Sequence, residues 1–221
     1  MREENYNFAL ISLRNATSEE SVIVNKAFRF WKTMWKDFFV QKNLDFPHWE
    51  DEFYRHDYLS FLTYKERPVG FHLYGLQNLN LDPCLGSKYM QSNFDESFKS
   101  ALIEQGTPKA MSINWLTIDV LFSRNNKKYS VIDLMGGLAS ESCELLGYDL
   151  MIAAIRNDIP LAKKTVACGG VKLGERLVYD TPCDMVYLPK GIDVFPEQTQ
   201  SFVKELWNKS QAQSEIIKKA A

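Results

Sequence analysis

The sequence lacks most of what would commit it to a specialised class. Its four cysteines, Cys84, Cys143, Cys168 and Cys183, form no C-x-x-C pair and sit mostly inside apolar segments, so they read as buried free thiols in a reducing compartment. The three histidines share no spacing that suggests a metal site, and no metal is expected. An excess of one charge is missing too. With 26 Lys and Arg against 28 Asp and Glu the net charge is −2, the pI is near 6.0, and no nucleic-acid partner is indicated. No apolar run approaches the ~20 residues of a membrane span, and the first seven residues hold no apolar signal core, so a cytoplasmic protein is expected. There is no internal repeat, low-complexity tract or linker rich in Gly, Pro or Ser. At 45% hydrophobic content, residues 1–221 are expected to bury one core as a single domain.

What is present begins with a short apolar strand, Phe8 to Leu13, and then Thr17-Ser-Glu-Glu20, which has the Thr-x-x-Glu form of a capping box. The helix it starts carries Val24, Ala27, Phe28, Trp31, Met34, Trp35 and Phe38 on one face, widened by Phe30 and Phe39. That face suits a thick core-facing helix. It also suits the wall of an acyl or apolar-substrate pocket, with Trp31 and Trp35 as the candidate lining residues. Tyr58 to Tyr64 and Val69 to Leu76 read as a hairpin turning at Lys65-Glu-Arg-Pro68. A polar connection from Gln77 to Lys109 follows, with a helix expected over Glu96 to Gln105. Its length suits a lid.

The richest stretch runs from Met111 to Val171. A strand is expected over Met111 to Phe122, then a loop from Ser123 to Tyr129, then a helix from Ser130 to Leu146 with a Ser-x-x-Asp cap completed by Asp133. A loop entering a helix N-terminus collects unpaired N–H donors and the positive end of the helix dipole, a seat for a pyrophosphate. Gly136-Gly137 in that helix costs ~1 kcal/mol per glycine relative to alanine. Close packing on the sheet is one account of the pair, and a nearby ligand is the other. A buried strand, Tyr148 to Ile155, and a helix through Val166 and Ala167 come next, with a last strand pair at Leu177 to Tyr179 and Met185 to Leu188. One amphipathic helix, with Phe202, Val203, Leu206 and Trp207 inward, closes the chain.

This order resembles the GCN5-related N-acetyltransferase fold over roughly residues 6 to 190. The resemblance implies an α/β chain with a mixed, mostly antiparallel central sheet flanked by helices, here followed by a C-terminal helix over about residues 196–220. It also implies an acyl-coenzyme A co-substrate whose pyrophosphate is held by the loop after the central strand. Laying Val120 on the family's valine puts Phe122 at its proline, Asn125 at its Arg/Gln, Lys128 at its first glycine and Ser130 at its Gly/Ala. With Arg124, Lys127 and Tyr129 these form the candidate cofactor-binding set, in which Lys127 and Lys128 either pair by charge with the phosphates in place of a lost glycine nest or form a solvated basic turn. Asn157 matches the family asparagine at the end of the next strand. Gly170-Val171 matches the Gly-Phe that closes the following helix, which puts Val166 where the family's tyrosine acid is usual. Tyr148, Tyr179 or a water are the substitutes. The long Gln77–Lys109 connection is similar in length to that of the acyl-homoserine-lactone synthase and long-chain N-acyl amino acid synthase branch, which typically draws on an acyl carrier protein. That branch's Glu-x-Ser-Arg motif would fall at Asn114 to Thr117 and is missing.

Amine acylation needs a base, donors that polarise the thioester carbonyl, and an acid for the thiolate. Asp119, an acid in an apolar run beside the cofactor loop, is the first candidate base, and the alternative is that it pairs with an arginine or caps a backbone group. His56-Asp57 and His72 are the secondary candidates, His72 on a strand where the resemblance implies acceptor binding, and a satisfied structural histidine is the alternative. The implied function is an N-acyltransferase working from acyl-coenzyme A, or from the phosphopantetheine of an acyl carrier protein, onto a small-molecule amine. The alternatives are a catalytically silent relative that binds an acyl thioester or a protein partner, and a different α/β binding protein with a similar strand order.

Overall fold

The structure is a computed structural model that describes residues 5–44, 48–125, 129–191 and 195–220. In chain order the elements are β1 (Tyr6–Ser12), α1 (Ser18–Gln41), α2 (Trp49–Tyr54), β2 (Tyr58–Tyr64), β3 (Arg67–Asn78), α3 (Asp82–Leu85), α4 (Lys88–Asn93), α5 (Glu96–Glu104), β4 (Lys109–Ile118), α6 (Val120–Asn125), α7 (Val131–Leu145), β5 (Leu150–Arg156), α8 (Leu161–Ala167), β6 (Val171–Val178), β7 (Thr181–Pro189) and α9 (Glu197–Ala220). The strands form one sheet in the order β1-β2-β3-β4-β5-β7-β6, antiparallel at every junction except β4–β5. The mixed, mostly antiparallel sheet and the C-terminal helix match the expected class. No helix among the described residues is long and apolar enough to cross a membrane.

Local chemistry explains most boundaries. Thr17 accepts from Glu20 N at 3.2 Å while Glu20 Oε2 accepts from Thr17 N at 2.8 Å, the reciprocal cap that starts α1. The β2–β3 hairpin turns more tightly than expected. Lys65 and Glu66 both take positive φ, 47° and 63°, as a two-residue turn between right-twisted strands requires, so β3 begins at Arg67 and runs on to Asn78. The final hairpin repeats the device at Tyr179 and Asp180, φ 48° and 52°, and β6 is much longer than the three residues expected of it.

The expected strand through Phe122 stops four residues early. Asp119 Oδ1 accepts from Leu121 N at 2.9 Å and its carbonyl accepts from Phe122 N at 2.9 Å, so the acid opens the short helix α6. The Gln77–Lys109 connection also departs from the expected lid. It folds into α3, α4 and α5, and Met90, Phe94, Phe98 and Leu102 bury against Ala110, Leu150, Ile152 and Met185. Four large apolar side chains with almost no exposure make this segment part of the core.

Side chains alternate across the sheet. One face packs Phe8, Leu62, Val69 and Met111 toward α7 and α9, and the other packs Leu59, Phe61, Phe71 and Leu73 toward α1 and α2. The glycine pair of α7 is explained here, with a correction to its partner. A Cβ on Gly137 would sit 2.7 Å from Val203 Cγ2, and one on Gly136 would sit 2.9 Å from the Phe195 ring, so the glycines admit α9 and Phe195, two residues before it, rather than the sheet. Gly137→Ala is therefore expected to destabilise the fold by ~1–2 kcal/mol despite alanine's better helix propensity. Adding Val203→Ala should recover part of the loss. A chemical-denaturation double-mutant cycle checks this, and strictly additive effects would refute the contact.

Candidate active site

The sheet opens at its centre. β4 and β5 pair through Ala110–Leu150, Met111–Met151 and Ser112–Ile152 only, and beyond those three pairs they diverge. The cause lies in β4. Its register against β3 shifts between Phe71 and Leu73, and Trp115 takes φ 55°, a bulge that bends the strand away from β5. Trp115 is held there by edge-on contacts with Trp31 at 5.3 Å and Trp35 at 4.8 Å between ring centres.

Two cavities meet in the gap. One of about 190 Å³ lies on the α7–α8 side, lined by Ile113, Leu116, Ala153, Ile155, Gly136 and Leu161 among others, with His72 at its floor. A second of about 100 Å³ lies on the α1–α2 side, with Glu52, Arg55, Asn93, Asn114 and Tyr179 in its wall. Trp35, Ile113, Trp115, Ala154 and Arg156 line both, so the two cavities adjoin at the gap. The first cavity is mostly apolar, whereas the second mixes charged and amide side chains with aromatic and aliphatic ones. The two ends therefore suit different reactants.

At the mouth of the first cavity Ser130 caps α7, with Asp133 N 3.4 Å from its Oγ, as the sequence indicates. Lys164 of α8 reaches across to Asp133 Oδ1 at 2.7 Å and to Ser130 Oγ at 3.3 Å. This cation was missed from sequence, because its approach to the helix start depends on how α8 folds back over α7. Lys127 and Lys128 lie outside the described residues, and Arg124 and Asn125 fall in α6 with side chains outside the described part. Asn157 directly follows β5 and its amide nitrogen is 3.5 Å from Asp184 Oδ1.

Several candidate side chains prove to be anchors. Phe122 packs on Tyr64 at 5.7 Å in the core beneath α7, and Tyr129 stacks on Phe202 at 4.6 Å, so both rings hold the loop ends to the body rather than facing a ligand. Val120 is exposed on α6. Trp31 is fully buried among Phe28, Trp49, Phe53 and Trp115 and walls neither cavity, because the bulge seals it behind Trp115. Trp35, one turn on, does line both cavities and donates to Thr117 Oγ1 at 2.8 Å.

Asp119 is not the isolated buried acid that its sequence context suggests. Past the end of β4, its Oδ2 accepts from Arg67 Nη2 at 2.8 Å and Nε at 3.1 Å while Oδ1 caps α6, and it lines neither cavity. His72 does reach the first cavity, with Nδ1 3.4 Å from Tyr74 Oη. Burial pushes its imidazole down to about 3, so the ring is neutral at ordinary pH and too weak a base to hold a proton. Val166 is exposed on α8, and of the two tyrosines considered as substitutes for an acid there, Tyr179 borders the second cavity and Tyr148 does not. Packing raises the Tyr179 phenol above its usual range, which keeps it protonated. Cys168 borders the first cavity, and its burial raises the thiol, which disfavours a thiolate nucleophile.

No family model and no curated protein matches this sequence. Solved structures do. The CoA-dependent acyl-homoserine lactone synthase BjaI, in complex with SAM and isopentyl-CoA, is similar at 14% identity and TM-score 0.59, over 90% of this chain and 88% of its own. FeeM, an N-acyl amino acid synthase from uncultured soil microbes, is similar at 11% identity and TM-score 0.55, over 83% of this chain and 91% of its own. An acyl-CoA N-acyltransferase from Pseudomonas aeruginosa is similar at 12% identity and TM-score 0.52, over 83% of this chain and 99% of its own. The chain has the GCN5-related N-acetyltransferase fold, in a divergent form laid out like the acyl-homoserine lactone and N-acyl amino acid synthases.

Proposed function

We propose that the protein moves an acyl group from a thioester of coenzyme A, or of an acyl carrier protein's phosphopantetheine, to an amine. The observation that carries this reading is the gap between β4 and β5, where the two cavities adjoin. A thioester entering from the α7–α8 side and an amine entering from the α1–α2 side meet where Ala154 and Trp115 line both cavities. Past Ser112, β4 pairs only with β3, so its other edge offers backbone groups to the amides of a pantetheine arm. Donor phosphates would lie at the start of α7, near Lys164, and by sequence position Arg124, Lys127 and Lys128 are candidates to pair with them. The solved structures with bound or named coenzyme A thioesters support the donor class.

The apolar walls of the first cavity favour an acyl chain longer than acetyl. In a thermal-shift panel of coenzyme A and its acetyl, octanoyl and palmitoyl thioesters, octanoyl-coenzyme A is expected to bind more tightly than acetyl-coenzyme A by ~0.8 kcal/mol per additional buried methylene. Equal shifts from acetyl to palmitoyl would refute the acyl-chain assignment, and no shift from any of them would refute coenzyme A as the donor. The exposed Val166 at the usual tyrosine position favours one alternative, a thioester-binding protein without turnover. Binding with no thiol release in the presence of an amine panel would establish it.

A further inference from the structure

The second cavity holds an acid that sequence reading passed over. Three acids crowd the first turn of α2, and two are turned outward: Glu50 pairs with Lys32 at 3.0 Å, and Asp51 faces His48 at 4.0 Å. Glu52 faces inward with 17% of its side chain exposed, and among the described residues it is the one carboxylate lining the second cavity. Its hydrogen bonds all go to one oxygen. Oε1 accepts from Arg55 Nε at 2.7 Å, from Arg55 Nη2, and from Trp115 Nε1 at 3.3 Å, and no described residue donates to Oε2. Arg55 is fixed in turn by lying over the Tyr89 ring at 4.6 Å. The carboxylate is thus oriented from two directions, and its other oxygen has no donor among the described residues.

We infer that Glu52 Oε2 is the proton acceptor for the incoming amine. The inference rests on the acyl-transfer reading and specifies its acceptor side. As the amine nitrogen bonds to the thioester carbonyl carbon, one N–H proton passes to Oε2. The C–S bond then breaks, the sulfur leaves with the bonding pair, and the thiolate takes up a proton, so an amide and a free thiol result. The Trp115 indole ties this carboxylate to the bulge that opens the sheet. The base and the gap are therefore set by the same residue. The acids weighed against it are placed elsewhere: Asp119 is engaged by Arg67 away from both cavities, and Asp133 sits at the donor mouth under Lys164.

The test follows thiol release with octanoyl-coenzyme A and a panel of primary amines. Glu52→Gln is expected to lower kcat/KM by about 100-fold or more, in the range that general-base catalysis supplies, while the thermal shift with octanoyl-coenzyme A stays within that of the parent. Glu52→Ala should regain part of its rate with added formate, a small carboxylate that fits the vacated space. Glu52→Asp keeps a carboxylate for Arg55 but withdraws it from the cavity, and should fold and turn over slowly even if the other variants fail to fold. Turnover within threefold of the parent in Glu52→Gln or Glu52→Asp overturns the inference. So does a Glu52→Ala variant that binds donor yet gains nothing from formate. Parent protein that releases no thiol with any amine would remove the transfer reading itself, an outcome distinguishable from failure of the variants alone.

Discussion

Ala154→Phe is expected to stop acyl transfer while leaving the protein folded. Ala154 is half-buried in β5 and lines both cavities at the point where they join, so a phenyl ring there fills the passage instead of displacing packed core. A reacting pair held even ~1 Å out of place loses on the order of 100-fold in rate, and a ring that bars contact should cost at least that much in kcat/KM. The far-ultraviolet circular dichroism and the melting temperature should stay close to the parent's. Turnover within threefold of the parent would mean that the two reactants meet somewhere other than the gap between β4 and β5.

The second large effect is on stability in mild acid. His72 and His56 are both buried and held neutral, His72 pushed down to about 3 and His56 well below the usual imidazole range, in each case chiefly by burial. An unfolded chain protonates both near pH 6.5, so between that pH and the folded values the unfolded state binds more protons and stability must rise with pH. The contribution is complete above pH 6.5 and is lost as the pH falls. For His72 alone the loss from pH 6.5 to 5 is ~2 kcal/mol, and His56 adds to it with the same sign. Glu141, whose carboxyl is raised by burial, opposes it, and the lowered carboxyls Glu50, Asp95, Glu96 and Asp158 act mainly at lower pH, nearer the ordinary carboxylate range. Urea unfolding at pH 7.5 and 5.0 measures the sum, and His72→Gln should flatten the dependence. An unfolding free energy unchanged between those two pH values would contradict the buried neutral state of both rings.

Sequence periodicity carried the reading of α1, α5, α7 and α9 because each shows an apolar stripe, and the caps at Thr17 and Ser130 mark where α1 and α7 begin. Strand order was legible through the family resemblance. What escaped was decided by contacts between elements distant in the chain. Trp31 and Trp35 occupy equivalent places on the α1 stripe. Only the bulge at Trp115 separates them into a core residue and a cavity residue, and a tryptophan with positive φ has no local signature. Asp119 reads as a buried acid because its neighbours are apolar, but Arg67 is 52 positions away. Glu52 is one of three acids in a six-residue helix, and which of them turns inward depends on the docking of α2 against β4. Lys164 was likewise invisible until α8 folded back on α7.

The three-residue junction between β4 and β5 has a consequence for how the chain behaves when crowded. β4 is fourth of seven strands, yet beyond Ser112 it has one hydrogen-bonded neighbour and is in effect an edge. Unpaired edges recruit other chains and seed aggregation, and proteins usually blunt them with charge, proline or twist. Here the vulnerable edge is internal, with α7 and α8 on one side of the gap and α1 on the other. A flat strand from another molecule cannot slide in between them, whereas a slender flexible arm can. The fold thus keeps an open, β-competent edge while denying it to other copies of the chain.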